Sequence, residues 1–461
     1  MANNRLRMNV LIRNMLSKIR PVLAAALLCV AQQALAILPI EQWQTSSGAK
    51  VLFVANRGLP MLDVSVDFPA GSGYDTGAKA GVAAMTNGLL RMGADGLGED
   101  DIARRIADIG AALGGRFDFD RAGLSLRTLS DPRQREPALD LLARILRAPA
   151  FPAAVLNREK ARQIGALKEA DLKPDSQAGR MFYRLVYREH PYALRSVGDV
   201  DTVGGITRDD LLAFYRQHYA ADRAVIAIMG DVSRTDAEAI AEQLTRGLPR
   251  TNGAAPALPQ VIPLERAITR VVAHPATQSH ILMGAPGIRR SDPDYFPLFV
   301  GNHILGGGGF VSRINEEVRQ KRGLAYSAYS YFSPQQVPGP FVIGMQTRRD
   351  QADEALAVVR KTLRDFVSNG PTEQELLAAR QNIVGGFPMR IDSNRKIHEY
   401  LAVIGFYGLP VSYLEDFVGN VERVTIADIK AAFAKHVDPE KLVTVVVGAD
   451  KDQTVTVPAA R

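Results

Sequence analysis

Two stretches of the chain, 206–232 and 424–450, share one pattern of polar and hydrophobic positions and align without a gap at an offset of 218 residues. Each begins with Thr, followed three residues later by Asp, ahead of an amphipathic run, which predicts a capped helix. Each ends in an apolar run, 224–229 or 442–447, which predicts a buried strand. The matched pairs include Thr207 with Thr425, Asp210 with Asp428, His218 with His436, Val225 with Val443 and Gly230 with Gly448.

This internal duplication predicts two similar domains, because its period is far longer than that of solenoid repeats. A Pro/Ala-rich stretch, residues 253–263, separates the two copies and reads as a linker. We therefore predict an N-terminal domain over 37–252 and a C-terminal domain over 264–461, each long enough to bury a core. Periodicity alone indicates only a mixture of helices and strands.

A second pattern lies in the later half of the chain. Four glycines, residues 306–309, precede apolar positions at helical spacing, and Gly323 is placed to end the helix. Residues 324–332 are rich in strand-forming types. The pattern predicts that a helix carries Arg319 and the following strand carries Tyr326. The glycines lack a following Gly-Lys-Ser/Thr, so we predict a tight turn or close backbone approach, not a phosphate loop.

Residues 81–88 read Gly-Val-Ala-Ala-Met-Thr-Asn-Gly. Taken alone they fit a small-residue core helix ending at Gly93, and Asn87-Gly88 equally fits a turn. The stretch also resembles the active-site helix of pitrilysin/insulinase-type zinc peptidases (inverzincins), which usually reads G-[LV]-A-H-x-x-E-H. In that helix two His bind zinc and the Glu takes a proton from the metal-bound water.

The resemblance implies a degenerate zinc site. The functional positions of the helix hold Ala84, Asn87 and Gly88, none of which supplies a zinc ligand or a general base. The family's third ligand, a Glu on a later helix, usually follows another Glu by seven residues. Here that spacing leads from Glu159 to Ala166, so the third ligand is also missing. We expect no metal in this chain.

The later pattern, 305–327, resembles the second-half signature of the same family. In those peptidases an Arg and a Tyr seven residues apart hydrogen-bond the scissile carbonyl or its oxyanion, and Arg319 and Tyr326 match them. The structural alternatives are that Arg319 offsets a helix dipole and that Tyr326 is a half-buried strand residue.

The resemblance covers essentially the whole mature chain and points to the short two-domain branch related to mitochondrial processing peptidase. It implies an α+β fold of two homologous domains, each a mostly antiparallel sheet packed with helices, which form a clam-like half of a peptidase chamber. In that branch subunits often pair. We expect a heterodimer with a homologous zinc-bearing subunit, in which zinc belongs to the partner and peptides are the substrates.

Two other functions stay open. The chain is alternatively a catalytically inert peptide-binding or scaffolding homologue, or an active peptidase with relocated ligands. The seven histidines argue against the last alternative, because no pair has a familiar zinc-ligand spacing.

The first 36 residues predict a signal peptide. Five basic residues and no acidic one accompany an apolar run, 22–30, and Ala34-Leu35-Ala36 is a small-x-small cleavage site. Its removal would lower the formal charge from +7 to +2, so the basicity gives no case for nucleic-acid binding. The apolar run is too short to span a membrane, and the only cysteine, Cys29, lies within it. We expect a periplasmic or secreted protein without disulfides.

Overall fold

The structure is a computed structural model that describes residues 39–251, 256–449, 451 and 453–456. The predicted signal peptide, 1–36, lies outside the described residues. All elements described below follow Pro39. Within the described ranges, no helix has both the length and the apolar character needed to cross a membrane.

The first half of the chain forms a six-stranded sheet and a small two-stranded one. The six strands are β1 Glu41–Gln44, β2 Lys50–Ala55, β3 Met61–Phe68, β6 Ala112–Phe117, β7 Ala122–Leu129 and β8 Val225–Gly230, and the small pair is β4 Gly93–Ala94 and β5 Leu97–Gly98. The order in the large sheet is β1-β2-β8-β3-β7-β6. Only β2 and β8 are parallel neighbours, and β6 is a free edge.

The second half repeats this sheet. Its strands are β9 Ile268–Ala273, β10 Gln278–Pro286, β11 Ala325–Phe332, β12 Pro340–Arg348, β13 Val443–Ala449 and β14 Gln453–Thr456. The order β11-β12-β10-β13-β9-β14 matches the first sheet read from β6 to β1, and again only one pair, β13 with β9, is parallel. The predicted duplication and the predicted α+β class of mostly antiparallel sheets are confirmed.

Helices surround both sheets. Those of the first half are α1 Val82–Leu89, α2 Glu99–Asp108, α3 Pro132–Arg147, α4 Ala153–Ala170, α5 Pro174–Tyr187, α6 Val200–Gly204, α7 Arg208–His218 and α8 Arg234–Thr245. Those of the second half are α9 Tyr295–Asn302, α10 Arg313–Asn315, α11 Ala352–Asn369, α12 Glu373–Gly386, α13 Asn394–Tyr407, α14 Tyr413–Arg423 and α15 Ile426–His436. The predicted capping boxes open α7 and α15.

The two halves exchange one helix each. Helix α5 comes from the first half but packs on β10 and β13 of the second sheet, where Phe182 and Val186 join the core beside Val445. Helix α13 comes from the second half and packs on β8, β3 and β2 of the first sheet. The predicted boundaries, 37–252 and 264–461, follow the chain and do not describe this exchange. Neither sheet is fully covered without the other half.

Helix α13 lies very close to the first sheet. A Cβ added to Gly405 would stand 2.5 Å from a methyl carbon of Leu52 and 2.6 Å from one of Val225. About two turns toward the start of α13, His398 Nε2 lies 3.2 Å from the carbonyl oxygen of Ala227. Burial lowers the pKa of His398 to about 4, so the neutral ring donates its Nε2 proton to that oxygen.

A buried carboxylate joins the two halves on the opposite side of α13. Asp120, in the β6–β7 turn, accepts hydrogen bonds from the Tyr407 hydroxyl at 2.8 Å, from the Gln336 backbone N–H at 2.8 Å and from the Tyr192 hydroxyl. Tyr407 ends α13, and Gln336 lies in the β11–β12 connection. Burial raises the pKa of Asp120 despite these three donors.

The predicted linker is bound to the end of α5. Arg188 donates to the carbonyl oxygens of Ile262 and Pro263 at 3.2 and 2.8 Å. His190 Nε2 lies 3.1 Å from the carbonyl oxygen of Pro259. The described part of the linker, 256–263, forms no helix or strand, but these contacts fix its course.

The contact of α13 with the first sheet gives a stability prediction. Gly405→Ala would force a methyl group between two buried side chains, and we expect it to lower the free energy of unfolding by about 1–3 kcal/mol. Gly385→Ala is the matched control, because Gly385 is an exposed helical glycine with no atom within 4 Å of an added Cβ. There we expect a gain of about 0.5–1 kcal/mol. Denaturant unfolding measures both, and equal effects at the two sites would contradict the close packing.

Candidate functional site

Helix α1 holds the positions that correspond to the zinc motif. It begins after Gly81, whose φ of +94° favours glycine. The Asp75 carboxylate accepts hydrogen bonds from the N–H groups of Gly81 at 2.7 Å and Ala83 at 3.0 Å, which caps the first turn. Asn87 and Gly88 lie inside this helix, so the alternative that they mark a turn is wrong. A short 3₁₀ turn, Leu90–Met92, follows α1 before Gly93.

The degenerate positions line a cavity of about 260 Å³ between α1 and α4. Ala84 and Gly88 face it, and Asn87 lies at its inner wall. The Asn87 amide is already used structurally, because its Nδ2 donates to the Gly123 carbonyl oxygen at 3.0 Å and contacts the Tyr219 hydroxyl at 3.4 Å. These three residues therefore offer no basic ligand to a metal.

Glu159 is the acid that α4 contributes to this cavity. Its carboxylate is bound by Arg158 at 3.0 Å and Arg162 at 2.7 Å. Burial alone would raise the pKa of Glu159, but the two guanidinium groups outweigh it and the pKa is lowered. Ala166 lies two turns further along α4 and is exposed.

The donor set does not fit a zinc ion. A protein zinc site needs at least three His, Cys or carboxylate ligands, whereas here one carboxylate is present and two arginines already neutralise it. The residues predicted from the sequence as degenerate positions are thus brought together at one cavity, except for Ala166.

Arg319 and Tyr326 meet on the second half. Arg319 lies in a π-helical turn, Glu316–Gln320, that continues α10, and Tyr326 lies near the start of β11. The Arg319 guanidinium carbon is 4.7 Å from the centroid of the Tyr326 ring and 4.5 Å from that of Phe310. Tyr326 is 81% exposed, so the structural alternative that it is a half-buried strand residue is wrong.

The pair lies at a cavity of about 360 Å³ beside the glycine-rich segment. A Cβ on Gly306 would stand 2.4 Å from the Ser330 hydroxyl, so the segment packs directly on β11 as predicted for a close backbone approach. Asn315 donates to the Ala328 carbonyl oxygen at 2.6 Å and fixes the helical turn against the same strand. Within the described residues, no carboxylate forms an ion pair with Arg319, although Lys321 and Arg322 nearby are paired with Glu317.

One cluster with metal-ligand chemistry was not predicted from the sequence. Asp292, Asp294 and His436 come within reach of one another, although they are far apart along the chain. The Lys435 ammonium lies 2.6 Å from Asp294, and His436 Nε2 lies 2.8 Å from the same carboxylate. Asp294 and the end of α15 thus form a network of close polar contacts that joins α15 to the start of α9.

The fold and the site define a two-domain, peptidase-like protein whose zinc-motif positions offer no set of zinc ligands. Residues 50–199 match the family model described as insulinase (peptidase family M16), and residues 205–383 match the one described as peptidase M16 inactive domain. The chain therefore belongs to the M16 family, as the sequence resemblance predicted, and it is a homologue of the inactive type.

Individual relatives agree with this assignment. A solved structure described as a peptidase M16 inactive domain from Pseudomonas fluorescens is 40% identical, has a TM-score of 0.85, and covers 89% of this chain and 98% of its own. The "Non-peptidase homolog YmxG" of Helicobacter pylori is 24% identical over 414 residues, 87% of this chain and 92% of its own. A protease structure from Helicobacter pylori, 18% identical, shares the fold with a TM-score of 0.81 over 89% of this chain and 100% of its own.

The cap on α1 gives a pH-dependent prediction. Burial raises the pKa of Asp75 to about 7, although two backbone N–H groups oppose the shift. The folded state therefore keeps a proton that the unfolded chain, with a pKa near 3.8, releases earlier. The stability due to the neutral carboxyl is complete below about pH 4 and is lost as the pH rises through about 7.

We expect wild-type protein to lose stability relative to Asp75→Asn, which does not titrate, between pH 4 and 8, on the order of 4 kcal/mol at most. Denaturant unfolding of both proteins across that range measures the difference. A difference that stays constant with pH would show that Asp75 is ionised in the folded state throughout.

Proposed function

We propose that this chain is the zinc-free subunit of a heterodimeric M16 metallopeptidase and that it contributes Arg319 and Tyr326 to the hydrolysis of peptides. The proposal rests on one observation above all. The zinc-motif positions offer no ligand set, while the guanidinium of Arg319 and the phenol of Tyr326 are adjacent, and the phenol is exposed to solvent.

The electrostatics of the pair suit a developing oxyanion. Arg319 is held between two aromatic rings, which fixes its plane without neutralising its charge. A cation and a hydroxyl donor that are ordered before the reaction stabilise negative charge without reorganisation. In the complex, zinc held by the partner would supply the activation of water. Arg319 and Tyr326 of this chain would hydrogen-bond the carbonyl oxygen of the scissile peptide and stabilise its developing negative charge.

The substrate class follows from the sheets. Strands β6 and β11 are both free edges, so their outward N–H and C=O groups are available to an extended peptide. Edge pairing uses backbone groups, which every peptide carries. We therefore propose unfolded or flexible peptides as substrates. The predicted signal peptide, residues 1–36, supports a periplasmic or secreted site of action.

A second candidate is a catalytically inert peptide-binding or scaffolding homologue. The Helicobacter pylori relative is described as a non-peptidase homologue, and the same free edges serve binding alone. The two functions are distinguished by whether peptide hydrolysis appears when the chain is mixed with a zinc-bearing homologue from the same genome. Co-purification identifies that homologue, and assays of the chain alone, the homologue alone and the mixture on an unstructured fluorogenic peptide separate the two functions.

For the mixture we expect that Tyr326→Phe or Arg319→Ala lowers kcat/KM on the order of 100-fold, because each removes a donor to the oxyanion. The zinc content of the complex stays unchanged, since no ligand is altered. Steady-state kinetics and metal analysis of the purified complexes measure both quantities.

Matched controls lie on β11 itself and just after the helical turn that carries Arg319. Tyr329→Phe removes a hydroxyl from β11 three residues away, and Arg322→Ala removes an arginine that is already paired with Glu317. We expect both control complexes to stay within about threefold of wild type, the scale of exposed ion pairs. Full activity in the Tyr326 and Arg319 variants would reject the catalytic role and favour the scaffolding function.

A further inference from the structure

Arg91 is an arginine without a partner beside the degenerate zinc cavity. It lies in the 3₁₀ turn after α1, three residues beyond Gly88. Its Nε is buried and makes no hydrogen bond, and none of the residues that the structure describes forms an ion pair or a cation–π contact with it. Burial alone lowers its pKa, with no nearby carboxylate acting against that shift. Arg91 as a whole is half-buried, and a partly desolvated cation with no counter-ion is stabilised by a ligand that supplies one.

The guanidinium lies against the free edge of the first sheet. A Cβ on Gly115 of β6 would stand 3.4 Å from Arg91 Nη2 and 3.1 Å from Asn87 Oδ1. Because position 115 has no side chain, the Arg91 guanidinium lies directly over the β6 backbone. Gly115 itself is exposed. A group on a molecule bound along β6 would therefore reach the guanidinium directly.

The hydrogen-bond pattern of β6 shows which backbone groups are free. The Asp118 N–H donates to the Arg121 carbonyl oxygen at 2.9 Å, at the turn end of the β6–β7 ladder. Along an antiparallel strand, every second residue directs its backbone N–H and C=O groups to the neighbouring strand. The backbone groups of Gly114 and Arg116 therefore face β7. The N–H and C=O groups of Gly115 consequently point to the free edge, next to Arg91.

The other charged side chains near Gly115 and Arg91 already have ion-pair partners. Glu159, in the adjacent cavity, is held by Arg158 and Arg162. Arg116, on the opposite face of β6, lies 3.3 Å from the buried carboxylate of Asp67. Arg91 alone among these arginines has no acid partner in the described structure.

We propose that Arg91 forms a carboxylate-binding site at the free edge of β6, which takes an acidic side chain or the terminal carboxylate of an extended peptide paired with Gly115. The guanidinium supplies a charge-assisted hydrogen bond to the carboxylate, and the strand supplies backbone hydrogen bonds. This site lies in the first half of the chain and does not depend on a zinc-bearing partner, so it goes beyond the proposed peptidase role.

The test uses the isolated chain and peptides labelled with a fluorophore at the N-terminus. One pair of nine-residue peptides, both C-terminally amidated, differs only by Glu or Gln at the centre. A third peptide carries the central Gln and a free C-terminal carboxylate. Anisotropy titrations at about 0.1 M salt give the affinities, since higher salt screens exposed charges.

We expect a carboxylate, in one or both positions, to tighten binding at least about tenfold over the neutral peptide, the scale of hydrogen bonds to charged groups. Arg91→Gln removes this preference and leaves the affinity for the neutral peptide within about twofold. A preference for the central Glu identifies a side-chain carboxylate as the ligand, and a preference for the free acid identifies the peptide terminus. Either result supports the site.

Arg162→Gln is the matched control, because Arg162 lies at the neighbouring cavity but is engaged with Glu159. We expect it to keep the wild-type preference. Equal affinity for all three peptides, no binding of any of them, or a preference that persists in Arg91→Gln would overturn the proposal. None of these results bears on whether the chain activates a zinc-bearing homologue, which is measured separately.

Discussion

The buried carboxylate of Asp120 is the interaction on which the arrangement of the two halves depends. It accepts from Tyr192, which follows α5, from Tyr407 at the end of α13 and from the backbone of Gln336. Both exchanged helices therefore end at one acceptor, fully buried where the sheets meet. A buried acceptor with three donors strongly disfavours displacement, because each donor left without it would lose its hydrogen bond away from water.

The exchange of α5 and α13 links the two sheet edges at which the candidate sites lie. Each sheet needs a helix of the other half for its core, so the free edges β6 and β11 belong to one cooperative unit. The degenerate zinc cavity lies near the first edge, and the Arg319–Tyr326 pair lies on the second. The zinc-motif positions hold α1 on the sheet without a metal, because Asn87 donates a hydrogen bond to the carbonyl oxygen of Gly123.

Local signals in the sequence predicted the repeated elements and much of the site. The Thr–Asp capping boxes and the apolar runs depend on neighbours a few residues apart, and both were found as predicted. The pattern also predicted that a helix carries Arg319 and the following strand carries Tyr326, and the family resemblance implied that the two act on one carbonyl group. In the structure their side chains are in contact. The strand-forming residues around Tyr326 left its burial open, since they do not show that β11 is an edge strand.

Long-range features had no such signal. The helix exchange depends on which face of each sheet its own half leaves uncovered. The spacing of apolar residues along the chain does not predict that. Asp120 and Arg91 look like ordinary charged residues in a turn and a helix end, and only their surroundings make one a shared acceptor and the other an unpaired cation. The need for glycine at position 405 likewise depends on Leu52 and Val225, which are distant in the sequence and pack against it.

We propose that the first half has no zinc centre of its own. Metal analysis of the isolated chain after dialysis against buffer with micromolar zinc tests it most directly, with a peptide-hydrolysis assay on the same sample. We expect zinc well below one ion per chain and no peptide hydrolysis above background. One zinc ion per chain, together with hydrolysis that a chelator abolishes, would contradict it.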